Sequence, residues 1–439
     1  MSRENVVKNA SWIIVGQVLK ALINLAITMM TARYLGPSNF GLINYAASVV
    51  AFVVPIMYLG FDSILVREIV NSPEKEGETL GTALLLSFLS SLLCIVGVVC
   101  YVSIANAGER DTLIVCALYS TLLIFQALEL IKFWFQAKLL SKYTTIISVI
   151  AYVVVSAYKV YLLVAGMSVY WFAVSYAIDY LLIAIGFFVI YNKMSTQPLS
   201  VSWKAGKRMF RSGRFFIVSS MMVTIYAQID RIMLKPMIDN AAVGYYSAAV
   251  ACACMAGFVF GAIIDSFRPS IFEARKADHD DFEHKTVQLY SVIIYGSLVV
   301  SVLTALFARP IIYIIYGHKY TPAIMALRII VWYTTFAYLG SVRNIWIVAE
   351  GKEKMLWIIN LLGATANVLL NLLFIPLWGI NGAAFASLIT QIFTNVVVGY
   401  ILRPIRPNNA LMVKGLSPRI AFHMTRVLWG DLRKKYINK

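Results

Sequence analysis

Residues 83–102 read ALLLSFLSSLLCIVGVVCYV, twenty positions without a single charged side chain. At about 1.5 Å per residue a helix of that length spans about 30 Å, the hydrocarbon thickness of a bilayer. The rest of the chain has the same character. Of its 439 residues 60% are hydrophobic and 13% charged, about half the roughly 25% charge of a soluble protein. Mean hydropathy over the whole chain is +0.77, so apolar side chains must face lipid as well as fill a core. Composition excludes disorder, and the many long apolar runs exclude a single soluble domain. A net charge of +17 would suggest nucleic acid in a soluble protein. Here it speaks first of loop orientation.

An all-α integral membrane protein is expected, with twelve transmembrane helices near 11–33, 42–69, 79–104, 112–134, 144–165, 168–191, 214–236, 242–267, 286–308, 322–348, 355–376 and 380–402. Turn chemistry separates them at Leu35-Gly36-Pro37-Ser38-Asn39, Asn71-Ser72-Pro73, Ala165-Gly166-Met167-Ser168 and Pro376-Leu377-Trp378-Gly379. The first span follows MSRENVVKNASW without a cleavage pattern and is read as a helix, not a signal peptide. On the side of the N-terminus fall 25 of the 38 Lys and Arg residues, against five on the other side (Arg33, Arg110, Lys235, Arg309, Lys319). The positive-inside rule then places both termini in the cytoplasm. The five cysteines lie in apolar runs without a CxxC pair, and the four histidines lie outside those runs. Neither a metal site nor a histidine relay is expected. Outer loops are too short for a catalytic domain, so a transporter, not an enzyme, is expected.

The domain expectation is an N-terminal six-helix lobe over 1–191, a basic linker over 192–214, a C-terminal six-helix lobe over 215–402 and a basic tail over 403–439. The linker carries Lys193, Lys204, Lys207, Arg208, Arg211 and Arg214 among Trp203, Met209 and Phe210. In the tail, Ile420, Met424, Val427, Leu428 and Leu432 recur at helical spacing. Both segments suit an amphipathic helix on an anionic leaflet; the plainer reading is positive-inside retention. A duplication supports the two lobes. At an offset of 203, Phe40–Ala47 lies on Val243–Val250 and Asp62-Ser63 on Asp265-Ser266; at 212, Trp134 lies on Trp346 and Lys142 on Lys354. An even number of spans per half makes this a parallel repeat, with a central cavity expected between the lobes.

Polar side chains within spans are costly and so mark cavities or partners. The first span aligns Gln17, Lys20, Asn24 and Thr28 on one face, and the seventh aligns Thr224, Gln228, Arg231 and Lys235. Span five carries Tyr152, Ser156 and Lys159, span six Ser175 and Asp179, span eleven Asn360, Asn367 and Asn371, and span twelve Ser387, Gln391 and Asn395. The expected substrate-binding set is Lys20, Asn24, Thr28, Lys159, Gln228, Arg231, Asn367, Asn371 and Gln391; for the neutral members a plain helix–helix hydrogen bond is the alternative. Lys20, Lys159 and Arg231 suit a phosphate or carboxylate. Asp179 and Asp230 are candidates for ion coupling, with H+ or Na+ left open and no other cofactor expected. Asp62, Arg67, Asp265 and Arg268, with Glu68, suit a gate or inner-rim ion pairing. Arg328, Arg343, Glu129 and Lys132 are read as snorkelling from span ends.

Over Ala32-Arg33-Tyr34-Leu35-Gly36-Pro37-Ser38-Asn39-Phe40-Gly41 the chain resembles the polysaccharide biosynthesis transporters, the Wzx-type flippases of the multidrug/oligosaccharidyl-lipid/polysaccharide exporter superfamily. Phe133-Trp134-Phe135-Gln136-Ala137, Gly351-Lys352-Glu353-Lys354 and Ile375-Pro376-Leu377-Trp378-Gly379-Ile380-Asn381-Gly382 agree, and the likeness covers about residues 8–403. The resemblance implies a V-shaped pair of six-helix lobes in the bacterial cytoplasmic membrane. It implies alternating-access transfer of undecaprenyl-pyrophosphate-linked repeat units of O-antigen, capsule or exopolysaccharide, with membrane lipids, a polysaccharide polymerase and a chain-length regulator as partners. The family's cationic cavity positions carry over to Lys20, Lys159 and Arg231. The two extra helices of lipid II flippases have no counterpart in the expected span count, which argues against that branch. A drug/cation antiporter of the same superfamily would want an acidic cavity. A small-anion carrier is the remaining alternative.

Overall fold

The computed structural model describes the backbone of residues 3–418 and the side chains of residues 23–418. The described residues are helical and contain no strand. In order they form α1 (Arg3–Met57), α2 (Phe61–Asn71), α3 (Glu76–Ala105), α4 (Arg110–Ser120), α5 (Leu122–Leu128), α6 (Ile131–Ala137), α7 (Ser141–Val164), α8 (Val169–Met194) and α9 (Trp203–Met237). There follow α10 (Asn240–Ala253), α11 (Gly257–Ala277), α12 (His279–Leu306), α13 (Ala308–Ile315), α14 (Ala323–Ala349), α15 (Lys354–Trp378), α16 (Ile380–Ile392), α17 (Val398–Ile401) and α18 (Arg406–Lys414). A π-helical turn, Phe393–Val397, joins α16 to α17.

Eleven helical stretches of the described residues are long and apolar enough to cross a membrane, against the twelve expected. The difference lies at the start, where expected spans 11–33 and 42–69 share one continuous stretch, Ile23–Asn71. The join is a kink at Gly36, with φ 72° and ψ 174°. Pro37 disfavours helical geometry in the residue before it, glycine alone adopts such a φ without strain, and proline is well suited to restart a helix. The Gly36-Pro37 signal therefore ends one helix and starts the next at a change of direction, so the two expected spans are two helices within this stretch.

The described residues divide into two compact units, one ending at Gly244 and the other beginning at Tyr245. This boundary is not the expected 192–214 linker. Only 195–202 is non-helical there, because Ser202 caps α9 by accepting from the Ala205 amide at 3.3 Å. The short extended piece lies along the start of α3: the Ser200 amide donates to the Gly77 carbonyl, and the Ser202 amide to Thr82 Oγ1 at 3.0 Å. From Trp203 onward α9 packs along α1 and against α2 and α3, so the seventh expected span belongs to the first unit.

In the second unit the core gathers Phe260, Phe282, Tyr290, Val342, Trp346 and Ile359. The first part of the expected tail is docked there. Tyr290 donates to Asn408 Oδ1 at 2.8 Å, and Leu411 and Met412 are buried. The amphipathic pattern from Ile420 to Leu432 lies outside the described residues.

The offset of 212 matches two tryptophans. Trp134 and Trp346 are both buried, one in each unit. Beside each sits an ion pair at the position four residues on, with opposite sign: Lys138 meets Glu76 at 2.7 Å, and Glu350 meets Arg275 at 2.7 Å. Lys352 also reaches Glu350 at 3.2 Å and lies over the Trp346 ring.

Candidate functional site

In the first unit, two polar groups form from residues that the sequence marks. The first joins α1, α7 and α8. Asn24 Oδ1 accepts from Tyr152 at 2.9 Å and from Thr28 Oγ1 at 3.3 Å. About two turns along α7, Lys159 places its ammonium 4.0 Å from the centroid of the Tyr176 ring, which packs against Tyr119. An aromatic face offsets part of the hydration an ammonium loses within a span. Asp179 is half-buried on the same helix as Tyr176, within electrostatic reach of Tyr152 and Tyr180. Lys20 lies outside the described side chains.

The second group joins α1 to α9. Gln228 Oε1 accepts from Ser48 at 3.0 Å and from Arg231 Nη1 at 2.8 Å. The amide is thus one partner that helps to orient the guanidinium, and both Gln228 and Arg231 remain partly exposed. Asp230, next to Arg231 in sequence, is buried.

One end of the same seam carries a cluster that the sequence does not announce. The Lys235 ammonium is buried and pairs with Glu109, which also accepts from Thr112 at 2.6 Å. Tyr45 lies under Lys235 and donates to Asn106 at 2.8 Å. Burial raises the Glu109 carboxyl's pKa, but the Lys235 and Thr112 hydrogen bonds outweigh it and hold the group below the usual range. Lys235 and Glu109 stand 126 positions apart, so local spacing gives no hint of the pair.

The expected rim residues divide. Arg67 reaches Glu68 at 3.5 Å, and Glu68 reaches Arg208 of α9 at 3.8 Å. Asp62 lies five residues before Arg67, on another face of α2. Asp265 and Arg268 form an exposed pair at 2.8 Å.

In the second unit, Asn367 and Asn371 come together in α15, and Gln391 lies in α16 next to Asn367's partner Thr390. All three are buried. Asn371 donates to Asn367 and Asn367 to Thr390 Oγ1, each at 3.4 Å, while Asn395 donates to Gln391 Oε1. The Asn367–Thr390 bond joins α15 to α16, which is the helix–helix hydrogen-bond alternative, and the other two are bonds four residues apart along the chain. Arg343 departs from the snorkelling expectation. It is buried and donates to the Thr394 carbonyl at 2.6 Å and to Asn344 at 3.1 Å. The reason is the π-turn, which shifts the carbonyl register of its last helix so that a side chain can reach in. Glu129 and Lys132 likewise pair with each other at 3.2 Å instead of reaching outward separately, and Tyr58 donates to Glu129 at 3.4 Å. Arg328 is exposed, as a snorkelling residue should be.

The fold is that of a multi-pass, all-helical membrane protein with polar groups inside its spans. A family model described as polysaccharide biosynthesis protein matches residues 6–275, and the chain belongs to that family. It is 21% identical over 410 residues to the capsular polysaccharide biosynthesis protein CapF of Staphylococcus aureus, covering 91% of this chain and all of that one. Among solved structures, the lipid II flippase MurJ in an inward closed conformation matches with a TM-score of 0.72 at 13% identity, over 95% of this chain and 98% of that one. An inward-facing multidrug resistance MATE family transporter of the MOP superfamily matches with a TM-score of 0.65 at 15% identity, over 91% and 96%. At such identities the likeness is one of fold. It agrees with the superfamily that the sequence resembles.

Proposed function

We propose that the protein is a flippase for polyprenyl-pyrophosphate-linked oligosaccharide repeat units, carrying them from the inner to the outer leaflet of the bacterial cytoplasmic membrane by alternating access. Family membership supports the substrate class. The observation that carries the reading is the Ser48–Gln228–Arg231 group: a guanidinium within a span, oriented in part by an amide and still partly exposed. Arginine in that setting suits a pyrophosphate oxygen pair. Lys159, resting on Tyr176, supplies a second cation, and Asn24, Thr28 and Tyr152 supply groups that match sugar hydroxyls. Lys20 is assigned to the same set from its place in the sequence. The buried Asn367, Asn371 and Gln391 serve as scaffold in this reading.

Transport is coupled to H+ or Na+ through Asp179, with Asp230 as the second candidate. Both termini are assigned to the cytoplasm by the distribution of Lys and Arg, and a polymerase and chain-length regulator to the partners. The test is deletion in a host that makes the polysaccharide. Lipid-linked repeat units should accumulate on the inner leaflet and be cleared by the restored gene. A deletion that alters drug tolerance with no such accumulation would replace this reading with drug or cation antiport.

A further inference from the structure

Two close contacts fasten α9 to the turn between α1 and α2 and the start of α10 to α1. At one, a Cβ on Gly60 would stand 2.3 Å from the Gly213 carbonyl oxygen, and one on Gly213 would stand 2.7 Å from that of Leu59. At the other, a Cβ on Gly41 would stand 1.8 Å from the Asn240 carbonyl oxygen. Between these contacts α1, α3 and α9 border a partly open slot of about 350 Å³. Its walls are the apolar side chains of Val49, Phe52, Val53, Val98, Ile229 and Ile232. Gly97 leaves room beside them: a Cβ there would meet nothing within 4 Å. Tyr101, which is exposed, marks one end.

Such a slot is unsuited to water, which needs two or more polar partners, and protein interiors otherwise pack closely. Hydrocarbon fits it. The volume lies within the roughly 300–1,000 Å³ of small-molecule sites. On α9, Ile229 and Ile232 each follow a polar residue, Gln228 and Arg231, so the guanidinium stands about 100° round the helix from the slot and at the same height. An apolar slot flanked by a cation at one level suits an anionic amphiphile. We infer that this slot receives the isoprenoid chain of the lipid carrier, holding the units next to the pyrophosphate while the pyrophosphate lies toward Arg231. The inference rests on the flippase reading, and continuity with the Gln228–Arg231 group selects the isoprenoid over a phospholipid acyl chain.

The test uses the full chain in lipid nanodiscs with two probes: a polyprenyl phosphate carrying a diazirine in its first isoprene units, and a phosphatidylglycerol carrying one in its acyl chain. Labelled peptides are mapped by mass spectrometry. The polyprenyl probe should label α1, α3 and α9 around the slot, in preference to the phospholipid. Gly97→Leu should cut that labelling at least fivefold with an unchanged melting temperature, because its side chain grows into open space. Ile232→Phe, filling the slot from the opposite wall, should do the same. Equal labelling by phosphatidylglycerol would make the slot a seat for bilayer lipid and overturn the assignment. Polyprenyl labelling elsewhere, insensitive to both variants, would also overturn it and leave the flippase reading intact. Polyprenyl labelling nowhere on the chain, with no repeat units accumulating on deletion, would instead remove the flippase reading on which it rests.

Discussion

Gly41 and Gly244, matched to each other by the 203-residue repeat, lie against one another. A Cβ on Gly41 would stand 2.7 Å from the Gly244 nitrogen, and one on Gly244 would stand 3.2 Å from the Gly41 nitrogen and 2.1 Å from the Pro37 carbonyl oxygen. Both residues are helical, so what requires glycine is the closeness of the backbones. Gly41→Ala and Gly244→Ala should each destabilise by about 1–3 kcal/mol, the usual cost of overpacking. Because one displacement relieves both, the double variant should cost less than the sum. Gly97→Ala, facing open space, is the control. Melting temperatures of the purified variants decide it, and three equal values would refute the close contact.

The Lys235–Glu109 pair yields a second prediction. Glu109→Gln leaves a buried ammonium without its carboxylate. Removing one partner of a fully buried pair costs about 3–5 kcal/mol; Glu109 is 49% exposed, so solvent screening lowers the expected loss to about 2 kcal/mol. Lys235→Met combined with Glu109→Gln removes the charge as well and should recover more than half of it. If the double variant is less stable than Glu109→Gln alone, the pair is not what holds α9 at this end.

Acid should weaken the fold through two carboxylates outside the spans. Glu109 and Glu350 are both held below the usual carboxylate range; for Glu350, burial opposes the shift, but Lys352 and Arg275 outweigh it. A folded-state pKa below the unfolded one, about 4.3 for Glu, gives stability that is full above the unfolded value. It is lost as pH falls through the folded value. Thermal melts in detergent from pH 7 to pH 3 should therefore fall on the acid side. Glu109→Gln and Glu350→Gln should lower the plateau and flatten that fall. An unchanged acid slope in the double variant would contradict the assignment.

How much of this was legible beforehand depended on the range of the interaction. Hydropathy alone locates most spans, because a helix must satisfy its backbone within itself to enter lipid. The Gly36-Pro37 signal gives the kink, but whether helix resumes at once depends on Pro37 serving as a helix start. In the linker, the amphipathic pattern of 203–214 suits the helix found there, but its start at the Ser202 cap and its unbroken run into the next span rest on packing against α3 and the Leu59-Gly60 turn, which charge does not encode. Asn24 with Thr28, and Gln228 with Arg231, are legible because helical spacing sets each pair on one polar face. The pairing of Lys235 with Glu109 was not, since it joins residues distant in sequence. Arg343 was misplaced for a related reason: its partner is a carbonyl presented by a π-turn, and no side-chain pattern encodes that.

The cationic groups give the functional prediction. Charge-assisted hydrogen bonds contribute about 1.5–3 kcal/mol, or roughly ten- to a hundredfold in rate where they form in the transition state. Arg231→Ala should therefore reduce export of repeat units at least tenfold at normal protein abundance, and Arg231→Lys should restore part of it, since a point charge replaces a planar fork. Gln228→Ala removes one acceptor that helps to aim the guanidinium and should cause a smaller loss with the charge retained. For Lys159, the ring of Tyr176 is the support. Tyr176→Phe keeps the aromatic face and should export nearly as well as the parent chain, while Tyr176→Leu should fall toward Lys159→Ala. Surface polysaccharide measured against membrane abundance of each variant is the readout. Normal export by both Lys159→Ala and Arg231→Ala would show that neither cation meets the substrate.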